Sequence, residues 1–113
     1  MSVLVNLDNL HSITGGDVGI ETELFASFTK CADDCIQKLS LAADDQDQAK
    51  WRENAHALKG LCYNMGAEVL GQLCREAQDS YQMSKEQKSL VLGQIKDTYI
   101  QTQEAIGSHL NLR

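Results

Sequence analysis

Between Asp47 and Met65 apolar residues recur every three or four positions, and this spacing limits what the chain can fold into more than any other feature. At about 100° per residue, Trp51, Ala55, Leu58, Cys62 and Met65 fall on one stripe of a helix. A helix with one apolar stripe is stable only when that stripe is buried against other elements. The rest of the chain supplies helices to do so. Proline is absent from all 113 residues, and Ala, Leu, Gln, Glu and Lys are plentiful. A chain of this size can bury a continuous core without metal or disulfide help.

The helical segments are set off by polar turns. Met1–Leu7 carries Val3, Leu4, Val5 and Leu7, an apolar lead-in expected to pack across one end of the fold as extended or helical chain. Asp8 is a candidate N-cap for a short helix over Asn9–Thr14, stopped by Gly15 and Gly16. Asp17 is the next N-cap candidate, opening a helix to about Leu41 on which Leu24, Phe28, Cys31, Cys35 and Leu39 mark one stripe, with Phe25, Ala32 and Ile36 beside it. Asp44–Asp47 reads as a solvated turn before the central helix, about Asp47–Asn64, which ends near Gly66. A fourth helix is predicted over about Ala67–Gln82, with Leu70, Leu73, Cys74 and Ala77 inward. Ser84 and Gln87 form a capping-box pattern that opens a last helix, about Lys85–His109, carrying Val91, Ile95, Tyr99, Thr102 and Ile106. The expected fold is all-α: an antiparallel four-helix bundle with a short additional N-terminal helix, in a single domain over residues 1–113.

His56 lies roughly opposite the buried stripe of the central helix. Its neighbours one and two turns away are Ala49, Arg52, Glu53, Lys59, Gly60 and Tyr63. The imidazole should therefore face water. Gly60 costs a helix about 1 kcal/mol relative to alanine, so its place beside an exposed imidazole points to room kept for an approaching partner. A neutral imidazole is a nucleophile near pH 7 and can carry a phosphoryl group on a ring nitrogen. Lys59 supplies a compact cation for the phosphoryl oxygens. Lys50, Arg52 and Lys59 outnumber Glu53 around this point, a basic island on a chain of net charge −6.

The run His56-Ala57-Leu58-Lys59-Gly60, followed by Gly66-Ala67 and Leu70, resembles the histidine-containing phosphotransfer (HPt) domain, and Leu7–Asp17 is similar to that family's usual opening. The resemblance implies a phosphorelay intermediate with His56 as the phosphorylated residue and Nε2 as the accepting atom. In that family a polar residue of the neighbouring helix often lies near the phosphohistidine, and Gln78 matches that position. The partners implied are response-regulator receiver domains and a hybrid histidine kinase, with Arg52, Glu53, Ala49 and Tyr63 on the docking face.

The residues also exclude several classes of function. The acidic balance argues against a nucleic-acid or anionic-membrane partner. No clustered carboxylate set for Mg²⁺, glycine-rich phosphate loop or ATP-binding motif is visible, so the chain is expected to have no cofactor of its own and no autonomous ATPase or kinase activity. Mg²⁺ and the remaining catalytic groups are expected in the partner receiver domain. Met1–Leu10 has no basic, apolar signal pattern, and the expected location is the cytoplasm, as a monomer. Cys31, Cys35, Cys62 and Cys74 are expected to be reduced, small, buried residues, and no metal site is expected. His11 and His109 are read as structural or solvated, and Asn64 as part of the helix end. The rival reading is a non-catalytic helical adaptor that binds a receiver or kinase domain through the same face without phosphorylation.

Overall fold

The computed structural model describes residues 4–110, apart from the side chain of Asn9. It contains five helices: α1 (Leu7–Thr14), α2 (Val18–Asp44), α3 (Gln48–Asn64), α4 (Glu68–Asp79) and α5 (Lys85–His109). The four long helices pack in a ring, α2 on α3, α3 on α4, α4 on α5 and α5 on α2, while α1 lies against α2. Short turns between successive helices make them antiparallel. The fold is the expected helical bundle with an extra N-terminal helix.

Local side-chain chemistry sets most helix starts. Asp17, Asp47 and Ser84 each accept a hydrogen bond from a backbone N–H of the first turn, and Gln87 returns the bond to Ser84. Each cap satisfies one of the donors that a helix N-terminus leaves open. The first helix departs from expectation. Its N-cap is Asn6, whose side chain accepts from the N–H of Asp8, so the helix starts at Leu7 and Asp8 lies inside it. Asn6 prevails through a distant contact as well: its own N–H donates to the Gly66 carbonyl at 2.6 Å, and its side chain donates to Glu68 at 3.2 Å. Gly66 has φ 75°, and a Cβ there would overlap the Asn6 carbonyl. Glycine is what lets the α3–α4 turn and the N-terminal segment meet. Val3 of the apolar lead-in lies outside the described residues, while Val5 and Leu7 pack against the core.

Two other boundaries and one thiol differ from the sequence reading. Helix α2 continues to Asp44, and α4 stops at Asp79, three residues before Gln82. The chain has to reverse before the Ser84 cap, and Ser80–Met83 forms that turn. Cys31 is exposed, not buried. The buried face of α2 runs through Phe28, Ala32, Cys35, Ile36 and Leu39, which leaves Cys31 a helical step outside it. Leu24, Leu73 and Val91 lie at the core's edge, and Leu92 is buried in addition to the expected α5 residues.

The core is one cluster that includes the entire α3 stripe of Trp51, Ala55, Leu58, Cys62 and Met65. Directional bonds fix the helices within it. Trp51 Nε1 donates to the Ala77 carbonyl at 3.0 Å, joining α3 to α4. Tyr99 on α5 lies within hydrogen-bond reach of both the Thr29 carbonyl and Asp33 Oδ1 on α2, the carboxylate at 2.7 Å. A hydrogen bond with Cys74, together with burial, pushes the Cys62 thiol up from its ordinary pKa, which keeps it inert.

Candidate functional site

Everything that positions His56 belongs to the α3–α4 pair. Ala55 and Leu58 on either side of it are fully buried, which turns the intervening residue outward. The Trp51–Ala77 bond fixes how far α4 slides along α3, and that register brings Gln78, the residue after Ala77, level with His56. Gln78 Oε1 lies 3.2 Å from His56 Nδ1. An amide oxygen only accepts, so the contact holds the imidazole proton on Nδ1 and leaves the lone pair on Nε2. Among the described residues, nothing hydrogen-bonds to Nε2. The ring therefore has one nitrogen oriented by the protein and one free to react.

The surrounding charges sort themselves by partner. Lys50 pairs with Glu53 at 3.6 Å, both exposed. The Arg52 guanidinium stacks 5.2 Å from the centroid of the Tyr81 ring. Lys59, one turn beyond His56, is half-buried and has no ion-pair partner among the described residues. Of the three cations in the basic island, it is the one left uncommitted. Gly60 is exposed, and a Cβ built there meets nothing within 4 Å. The helix itself thus gives no internal packing reason for glycine at that position.

Ala49, Arg52, Glu53 and Tyr63 are exposed on α3. Tyr63 also leans on α4: a Cβ on Gly71 would come within 2.7 Å of its ring. Gly71 and Tyr81 thus support two residues of this face, and sequence reading passes over both. Each owes its role to a neighbour on another helix, and only a helix-pairing register could have revealed that. No three metal-ligating groups cluster around His56; among the described residues such a group occurs only at His11, Glu21 and His109.

An outward imidazole on a four-helix bundle, with its proton held by a glutamine of the next helix, is the setting in which the comparisons with known proteins fall. The Hpt domain model matches residues 23–105, most of the chain and all of this site. The chain belongs to the Hpt domain family. Histidine phosphotransfer within a phosphorelay is its function, and Hpt domains meet receiver domains and histidine kinases. The fold of this Hpt domain is similar to the crystal structure of histidine-containing phosphotransfer protein B (HptB) from Pseudomonas aeruginosa PAO1, with a TM-score of 0.86. Identity is 19%, over 98% of this chain and 97% of that one. Among curated proteins, no sequence matches this Hpt domain. None of its described helices is long and apolar enough to cross a membrane.

Proposed function

We propose that His56 is the residue of this Hpt domain that carries the phosphoryl group, receiving it from and returning it to receiver-domain aspartates. The observation that carries this reading is the Gln78 contact on Nδ1, which leaves the Nε2 lone pair free on an exposed ring. In the forward step that lone pair attacks the phosphorus of a phospho-aspartate. The N–P bond forms as the acyl P–O bond breaks, and the bonding pair returns to the aspartate carboxylate. Phosphoryl transfer of this kind depends on alignment and neutralisation of charge. Lys59 supplies one cation, and Gly60 leaves space for the partner's backbone. Ala49, Arg52, Glu53 and Tyr63 form the surrounding contact face.

Mg²⁺ and the remaining catalytic groups belong to the receiver in this scheme. The chain acts as a cytoplasmic, monomeric carrier without ATPase or kinase activity of its own. The deciding experiment incubates the protein with phosphorylated receiver domains and maps the acid-labile label. Label on His56, abolished in His56→Gln, is the expected result. Full labelling of His56→Gln would place the acceptor elsewhere. Intact receiver binding with His56 unlabelled would instead make the protein a helical adaptor.

A further inference from the structure

At the end of the bundle where α1 crosses, three helices converge on a buried carboxylate. Glu21, in the first turn of α2, is 1% exposed. Its Oε2 accepts from the Thr14 hydroxyl at 2.8 Å and lies 2.7 Å from His11 Nδ1 on α1. Among the described residues, its Oε1 has no hydrogen-bond partner. His109 Nε2, on the last turn of α5, faces that oxygen at 3.7 Å, too far for a hydrogen bond. A buried carboxylate oxygen without a donor is costly, and structures rarely leave one so.

We propose that His11, Glu21 and His109 form a binding site for a divalent transition-metal ion of the zinc class. One ligand atom from each residue falls within a group no wider than 4.8 Å. Tetrahedral zinc with bonds of roughly 2.0–2.1 Å holds its ligand atoms about 3.3 Å apart, so small side-chain rotations close the set. Two imidazoles and one carboxylate suit zinc, cobalt or nickel far better than the hard cations calcium and magnesium. The carboxylate is buried, while the His11 and His109 side chains are 40% and 31% exposed. An ion can therefore enter from solvent and keep water in its open position. Bound there, it would join α1, α2 and α5 and give Glu21 Oε1 a partner that no described residue supplies. The site is separate from the His56 surface and does not depend on the phosphotransfer reading.

The test titrates Zn²⁺ into metal-stripped, full-length protein by calorimetry and records the visible spectrum with Co²⁺. One ion per chain is expected, with no thiolate charge-transfer band. His11→Gln and His109→Gln should each weaken binding by roughly a hundredfold while keeping the helical circular dichroism signal, and His56→Gln should bind as the parent does. Should a variant not fold, histidine ring ¹⁵N signals of the parent protein decide instead: Zn²⁺ should shift those of His11 and His109 and spare His56. Absence of saturable binding below about 1 mM, a shift confined to His56, or binding unchanged in both His11 and His109 variants would overturn the proposal.

Discussion

Gln78 Oε1 faces His56 Nδ1 across the α3–α4 groove at 3.2 Å, a contact between side chains 22 residues apart. Since the amide oxygen can only accept, the neutral ring should be protonated on Nδ1, and ¹⁵N shifts of the His56 ring should report that tautomer. Gln78→Ala should leave the fold intact and slow phosphoryl transfer about tenfold, because the ring loses its fixed orientation. A transfer rate equal to the parent's would show that this orientation contributes nothing.

Trp51 sets the register behind that contact. Trp51→Phe keeps most of the buried ring but leaves the Ala77 carbonyl without its donor. Stability should fall by about 1–3 kcal/mol in chemical denaturation. The transfer rate should fall too, even though Trp51 is buried and touches no partner.

Gly60 separates packing from docking. Its Cβ position is empty, so Gly60→Ala should stabilise the helix by about 1 kcal/mol and raise the melting temperature by several degrees. Gly60→Gln should also keep the fold but block approach to His56. Normal phosphate uptake by Gly60→Gln would remove the argument that this glycine keeps space for a partner.

Glu21 makes stability depend on acid. Burial raises its pKa, but hydrogen bonds from Thr14 and His11 and the nearby imidazoles outweigh that and hold it below the ordinary 4.5. A carboxylate with a depressed folded-state pKa contributes stability above its unfolded value and loses it as pH falls through the folded one. In metal-free buffer, melting temperatures of the parent and Glu21→Gln should differ at pH above 4.5 and converge as pH falls below it through the depressed folded-state pKa.

Cysteine reactivity gives a direct check of the core. Cys31 is exposed, and Cys35, Cys62 and Cys74 are buried. Iodoacetamide should label Cys31 alone in the native protein and all four thiols after denaturation, as read by intact-mass spectrometry.

What could be read from the sequence was whatever local spacing and local caps determine. The α3 stripe, the outward His56 and the starts at Asp17, Asp47 and Ser84 each depend on residues within a turn or two of one another. Contacts between distant segments set the rest. Asn6 outcompetes Asp8 as a cap because it also bonds Gly66 and Glu68. Cys31 fits a loose helical stripe, yet the true buried arc of α2 depends on where α3 and α5 press against it. Two buried charges carried no local signal. Glu21 draws its neighbours from α1 and α5, and Lys88 is buried with its ammonium 5.5 Å from the Trp51 ring centroid. Gln78 could be matched to its position by resemblance, but its distance from His56 follows from the Trp51–Ala77 bond.

His56 stands exposed on the outer side of α3, with its Nδ1 turned to Gln78 of α4. Two proteins reaching for that ring would collide with each other before both could touch it. Visitors must therefore take turns, and each has to leave before the next arrives. Under the proposed function, exchange at this residue is therefore serial, ordered by which visitor is abundant and how fast it lets go.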